Sequence, residues 1–300
     1  RCGVGVEMTE AIIIKAINDT CHSGRRAFGV FDDWLDIALA ALEAMPRHAE
    51  SVKTTGAPAE DTAEVQAMYE RLRTVYSRDD FARFVAAFHA LMDEAQRRGW
   101  GGHGGTWDVL GSVYMQIDAA NERSGQYFTP WEICRLMAFA TLEDVESDCR
   151  ARIASAINRG PWGAMGMANG EHIVRAGNEQ TMLYALAHNY KHLDPLLISD
   201  VACGSGSMLL AAAAACPRWA LDYNIVQFFG QDIDRTCVKM ARINMMLYGL
   251  NGYSLRLNAA LAGVTPLPAT IHQAAPDAPA PVAATVTLPP ARAEQRSLFA

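Results

Sequence analysis

Asp200-Val201-Ala202-Cys203-Gly204-Ser205-Gly206-Ser207 is the stretch that decides the fold. It follows the apolar run Leu196-Leu197-Ile198 and precedes Met208 to Ala215, a run of helix-forming residues. Strand, glycine turn and helix are therefore predicted in that order. Gly204 and Gly206 let the backbone turn sharply and come close to a ligand, and the helix N-terminus behind them favours polar or anionic groups. Downstream the pattern repeats. Ile225 to Gly230 is a second apolar run, Arg235 to Tyr248 is a second helical pattern, and Tyr253 to Leu257 is a third candidate strand. Alternating strands and helices of this kind build an α/β unit on a parallel sheet.

A Gly-x-Gly pair serves several ligands. A P-loop requires Gly-Lys-Ser/Thr at its end, and no lysine stands there. A dinucleotide fingerprint requires a third glycine where this chain has Leu209. What remains is the S-adenosylmethionine loop of a Rossmann-like methyltransferase. A carboxylate just past the end of the second strand supports it, because such a group accepts hydrogen bonds from both ribose hydroxyls. In Gly230-Gln231-Asp232-Ile233-Asp234 the expected ribose acceptor is Asp232. Asp234 is the reserve, and it is equally a candidate cap for the following helix.

A third segment, Gly125-Gln126-Tyr127-Phe128-Thr129-Pro130-Trp131-Glu132, reads as a helix start with Thr129 as N-cap, Pro130 at the first position and Glu132 at the third. Its adjacent aromatics also suit the wall of a small-molecule pocket.

These three segments, in this order, resemble the gamma-type adenine-N6 DNA methyltransferases, in particular the modification subunits of type I restriction systems. The family's Gly-Gln-Phe/Tyr-Phe/Tyr-Thr-Pro motif corresponds to Gly125 to Pro130. Its Asp-Pro-Ala-Cys-Gly-Ser-Gly loop corresponds to Asp200 to Gly206, with Val201 in place of proline, and its Gly-Gln-Glu/Asp-Ile segment to Gly230 to Ile233. Ala241 to Met245 and Asp108 to Tyr114 are similar to further stretches of that family. The likeness runs from about Asp108 to Leu261, interrupted by an insertion between about Glu143 and His192.

The resemblance implies a Rossmann-like S-adenosylmethionine-dependent methyltransferase fold, here with an incomplete sheet, preceded by an N-terminal helical domain. It implies methyl transfer from S-adenosylmethionine to adenine N6 in DNA, in a restriction-modification setting. Tyr127, Phe128, Thr129 and Pro130 would lie near the methionine end of the cofactor. Asp200, Ala202, Cys203, Gly204, Ser205 and Gly206 would surround it, with Asp232 on the ribose. DNA and a catalytic or specificity subunit are the implied partners. The family's acceptor motif, Asn/Asp-Pro-Pro-Phe/Tyr, accepts hydrogen bonds from the target amine and stacks a ring on the flipped base. Pro-Pro occurs in this chain as Pro289-Pro290, between Leu288 and Ala291, with neither the polar side chain nor the ring. No catalytic residue is therefore assigned. The alternative function is a catalytically inactive S-adenosylmethionine-binding module used for regulation or DNA targeting.

The domain boundaries expected are 1–105, 106–262 and 263–300. In the first, Val65, Met68, Tyr69, Leu72, Val75 and Tyr76 share one helix face, and Phe81, Phe84, Val85, Phe88, Leu91 and Met92 share another. Ser77 and Asp80 form a capping box between them, and the two helices are expected to pair antiparallel. Arg71, Arg73, Arg78 and Arg83 are balanced by Glu70, Asp79 and Asp80, as on a solvated face. Trp100 to Gly105 is a glycine hinge, and its His103 has no His, Cys or Asp at ligand spacing, so no metal is expected. Trp107, Leu110, Val113, Tyr114 and Ile117 mark the next helix. The last segment holds seven of the 13 prolines amid alanine and valine, which predicts a disordered tail. It ends in Gln295-Arg296-Ser297-Leu298-Phe299, which resembles the peptide that docks bacterial proteins on the replication sliding clamp through Gln295, Leu298 and Phe299.

A net charge of −7 argues against coating nucleic acid by bulk positive charge, though a local basic groove remains compatible. The 7 cysteines (Cys2, Cys21, Cys134, Cys149, Cys203, Cys216 and Cys237) form no Cys-x-x-Cys pair. That argues against a disulfide framework or zinc site and for a cytoplasmic setting. No run is apolar and long enough to span a bilayer, the N-terminus lacks a signal-peptide layout, and the first residue is Arg1 in the manner of a fragment.

Overall fold

The computed structural model describes residues 3–22, 25–98, 106–118, 128–252, 271–273 and 295–297. Helices occupy the chain as far as Asn189. They are α1 (Gly3–Thr20), α2 (Ala27–Thr55), α3 (Ala63–Arg73), α4 (Arg78–Arg98), α5 (Val109–Asp118), α6 (Trp131–Thr141), α7 (Val145–Arg159), α8 (Pro161–Ala164), α9 (Gly170–Ala176) and α10 (Glu179–Asn189). The α/β part follows as β1 (Leu196–Asp200), α11 (Ser207–Ala215), α12 (Arg218–Asp222), β2 (Val226–Asp232), α13 (Arg235–Leu247), β3 (Ile271–Gln273) and β4 (Gln295–Ser297).

The capping box forms as expected. The Ser77 N–H donates to Asp80 Oδ2 at 2.9 Å and the Asp80 N–H to Ser77 Oγ at 3.2 Å. The antiparallel partner of α4 differs from the expectation: α4 packs chiefly on α1, while α3 buries Leu72 and meets α4 through the rings of Tyr69 and Phe81. The periodicity marks an apolar face without saying what covers it. Trp34 of α2 is fully buried, and its Nε1–H donates to the Phe84 carbonyl at 3.1 Å. The expected boundary near residue 105 falls outside the described residues. On either side of it, one apolar cluster runs from Ile13 to Leu250. The insertion is helical, with α8, α9 and α10 arranged around α7.

β1 and β2 stand where the apolar runs predict them, parallel, with Leu196 beside Val226 and Asp200 beside Gly230. Among the described residues the sheet is four-stranded, in the order β3-β2-β1-β4, and every pairing is parallel. Leu196, Ile198, Ser199 and Asp200 are buried, as a central strand covered on both faces requires. Met208 to Ala213 of α11 are buried all round, which explains a helix of leucine and alanine without a polar face.

One expectation is corrected here: two further strands, β3 and β4, come from the stretch assigned to a disordered tail. The third candidate strand, Tyr253 to Leu257, lies outside the described residues. Ile271–Gln273 falls between Pro268 and Pro276 and Gln295–Ser297 follows the last proline, Pro290, and the edges of β2 and β1 offer backbone groups that such short extended pieces satisfy. A composition averaged over the whole segment hides them. The clamp-docking peptide is affected too, because the backbone from Gln295 to Ser297 is paired with Leu197 to Ser199. Leu298 and Phe299 lie outside the described residues.

α2 lies on α13 through a charged seam. Lys239 Nζ reaches Asp32 Oδ1 at 2.9 Å and Asp36 Oδ1 at 2.7 Å, Thr236 Oγ1 donates to Asp32 at 2.8 Å, and Arg242 pairs with Glu43. Lys239 is 9% exposed, so its removal leaves Asp32 without its cation and Asp36 with only Arg71 at 3.8 Å. Lys239→Ala should cost about 1–3 kcal/mol of stability in urea denaturation. Adding Asp32→Asn and Asp36→Asn should recover part of that loss, whereas a null effect of Lys239→Ala would mean that the seam contributes nothing.

Candidate ligand-binding site at the carboxyl end of the sheet

The chain runs from β1 outward through β2 to β3 and returns as β4 on the other side of β1. Strand order therefore reverses at β1, and open parallel sheets bind ligands beyond the strand ends at such a reversal. Residues 201–206 form the turn there. Gly204 has φ 53° and Gly206 φ 87°, left-handed values that glycine adopts without strain. A methyl group on Gly204 would sit 3.0 Å from the Phe128 ring, so glycine also permits the close approach of the two segments.

Backbone and carboxylate bonds hold the turn. The Cys203 N–H donates to the Gln231 carbonyl at 2.8 Å, and the Gly206 N–H to the Cys203 carbonyl at 2.7 Å. The Gly204 N–H donates to Asp232 Oδ2 at 2.8 Å, and the Asp234 N–H to Asp232 Oδ1 at 2.9 Å. Each oxygen of the half-buried Asp232 keeps a lone pair for a further donor. Asp234 caps α13, accepting from the Thr236 N–H at 2.8 Å, which is the structural role read for it.

Asp200 ends β1 at 1% exposure. Its Oδ1 accepts from the Ala202 N–H at 3.0 Å, while its Oδ2 is buried with no hydrogen-bond partner among the described residues. Burial pushes the Asp200 carboxyl up to about 6, and the neighbouring Asp232 charge adds to the effect. A buried acceptor left unpaired costs about 1–3 kcal/mol, which marks this oxygen as a candidate contact for a donor.

Phe128 is half-buried and stacks on Tyr114, with centroids 5.3 Å apart at 27°. Tyr127 lies outside the described residues. Thr129 is not the helix cap: the extended Pro130 (ψ 138°) precedes Trp131, no side chain caps α6, and Thr129 accepts the Cys134 thiol on its carbonyl at 3.4 Å. Ser205 lies in the turn. Its hydroxyl turns inward to Asp108, as does that of Ser207 at 2.5 Å, so Ser205 supports the turn from behind.

A cleft of about 430 Å³ opens between α5 and α6, within the size range of small-molecule pockets. Trp107, Ser112, Met115 and Gln116 line one side, Phe128 to Glu132 the other, and Asp108, Gly111 and Ser207 its base. The Trp107 and Trp131 rings stand 5.4 Å apart. Phe128 joins this cleft to the glycine turn, whereas Asp200, Gly204 and Asp232 do not line it. The motif segments meet as expected, but Asp108, Asn244 and Trp107 were not singled out for the site. An aspartate before a helix that carries glycine at its third position was the available signal for Asp108.

Burial raises Cys203 far above the ordinary thiol range and Cys134 to about 11, so neither supplies a thiolate. Among the described residues no group of His, Cys, Asp and Glu has metal-holding geometry.

The fold and site define a parallel α/β unit with a ligand site at its strand-order reversal. Residues 181–266 match the family model described as N-6 DNA Methylase. The match includes the glycine turn and the Asp232 segment but not residues 125–130. Among solved structures, the type I restriction-modification system methyltransferase subunit from Streptococcus thermophilus is similar at 14% identity and a TM-score of 0.35. The alignment covers 82% of this chain and 56% of that one, so the chain spans little more than half of that protein's length. No curated protein matches the sequence.

The Asp200 geometry predicts a stability effect of definite sign. The folded carboxyl titrates near 6 rather than 3.8, so the fold holds the proton more tightly than the unfolded chain and loses stability as pH rises through that window. Asp200→Asn should therefore raise the melting temperature near neutral pH, and the gain should vanish below the ordinary aspartate value. A gain that persists in acid would locate the effect elsewhere.

Proposed function

We propose that this chain supplies the S-adenosylmethionine-binding part of an adenine-N6 DNA methyltransferase with a Rossmann-like fold. The observation that carries the proposal is the buried, unpartnered Asp200 Oδ2 beside a left-handed glycine turn at the strand-order reversal. The family match over the same turn supports it.

The residues present fit the cofactor. Asp200 offers an acceptor that nothing among the described residues satisfies, Asp232 retains lone pairs for ribose hydroxyls, and Gly204 leaves room where a side chain would intrude. Phe128, Thr129 and Pro130 border the adjoining cleft on the side assigned to the methionine end, and Tyr127 completes that segment. The bound cofactor supplies an electrophilic methyl group. The chain's own work is to bind and orient: Asp232 holds the ribose, the turn residues Ala202 to Gly206 present backbone groups, and Phe128 shields the turn from water. DNA, with a specificity or catalytic subunit, is the proposed partner, and a cytoplasmic setting fits the six free cysteines among the described residues. No helix of the described residues is long and apolar enough to cross a membrane.

The absence of the acceptor motif from this sequence favours a second reading, a binding module without transfer activity of its own. Calorimetry with S-adenosylmethionine, run beside incorporation of labelled methyl groups into DNA, tests both. Binding without methylation is expected of the isolated chain. Robust adenine methylation would remove the second reading, and no binding at millimolar cofactor would remove the first.

Asp232→Ala should weaken cofactor binding by about 1–3 kcal/mol, through loss of hydrogen bonds to a charged acceptor and of the tie to Gly204. Asp234→Ala should instead lower stability by roughly 1 kcal/mol through the lost cap. Equal damage to affinity from both would move the ribose contact to Asp234. Because a donor from the cofactor favours ionised Asp200, affinity should also rise with pH up to about 6 and then level off, and Asp200→Asn should flatten that profile.

A further inference from the structure

Asp108 precedes α5, far from the glycine turn in sequence, yet its carboxylate gathers four donors from three elements. Oδ2 accepts from the Ser205 and Ser207 hydroxyls, and Oδ1 accepts from the Gly111 N–H at 2.8 Å and from Asn244 Nδ2 at 2.9 Å. Asn244 of α13 also donates to the Ser205 carbonyl at 2.9 Å. Capping α5 requires one acceptor, which serine or asparagine provides without burying a charge. Asp108 is 8% exposed, and its second oxygen is given over to the turn. Gly111 is shaped to the same end, since a Cβ there would lie 2.1 Å from Asp108 Oδ2 and 2.5 Å from Ser205 Oγ.

We propose that Asp108 is the positioning residue of the glycine turn: from the start of α5 it clamps Ser205 and Ser207, setting the conformation of residues 201–206 that the ligand meets. The clamp faces the base of the α5–α6 cleft on one side and the turn on the other, so the helical part of the chain determines the geometry at the strand-order reversal. Only a carboxylate serves all four donors, because an amide offers one acceptor oxygen and turns two hydrogens toward groups that also donate.

The test pairs two measurements on the full chain. The affinity arm rests on the S-adenosylmethionine reading, and the hydrogen-exchange arm does not. In Asp108→Asn, amide exchange at residues 202–206 should rise by about tenfold while exchange in α4 stays at the wild-type rate, and cofactor affinity should fall by about tenfold. Gly111→Ala should reproduce the same local exchange signature by displacing Asp108. A purely structural role would instead raise exchange throughout or lower only the melting temperature. If Asp108→Asn does not fold, Ser207→Ala, which removes a single donor, should give a smaller local increase of the same pattern. Wild-type exchange at 202–206 in the folded variants overturns the clamp. Failure of wild type to bind S-adenosylmethionine, with the local exchange change intact, would overturn the cofactor reading and leave the clamp standing.

Discussion

The bend of the chain between β1 and α11 is the constraint on which the site depends. A parallel strand that ends at a strand-order reversal leaves its following backbone groups without a ladder, and those groups must find partners before any ligand arrives. Here the end of β2 takes one side of the turn, through the Gln231 carbonyl and the Asp232 carboxylate. Asp108 and Asn244 take the other side. With the turn held from both sides, the unpartnered Asp200 oxygen remains as the acceptor left for a guest.

That arrangement changes the meaning of the helical region. By sequence, residues 1–105 form a separate domain in front of a cofactor domain that already includes Asp108 and α5. In the structure, α5 packs on α1 and α2, and Asp108 at its start reaches the turn. α2 presents Asp32, Asp36 and Glu43 in a row to Thr236, Lys239 and Arg242 of α13, the helix that carries Asn244. The helical part thus touches the site through two routes, one polar and buried, the other a charged seam nearer the surface. A perturbation of either part should be felt at residues 201–206.

Glycine chemistry made the centre of the site legible. Gly204 and Gly206 have positive φ because the bend demands it, and that demand shows locally in a Gly-x-Gly between an apolar run and a helix. Asp232 and Asp234 were legible for a similar reason: an acidic residue at a strand end and one at a helix start each answer a local backbone need. Thr129 misled because Thr-Pro looks like a cap, and the extended conformation of Pro130 placed the helix start one residue later. The direction of the Ser205 hydroxyl was not legible, because a serine in a glycine turn can face outward or inward, and nothing local decides which.

The sequence by itself determined the order of strand, turn and helix from Leu196 onward, the left-handed glycines, the capping box at Ser77 and the helical nature of the first part of the chain. These features follow from interactions within a few residues, where spacing and residue type are sufficient. Only the tertiary structure decided that Asp108 closes on Ser205 and Ser207, that α4 lies on α1, and that Ile271–Gln273 and Gln295–Ser297 extend the sheet. Each of these joins groups distant in the chain, and which distant edge or donor a segment satisfies depends on the packing that brings them together.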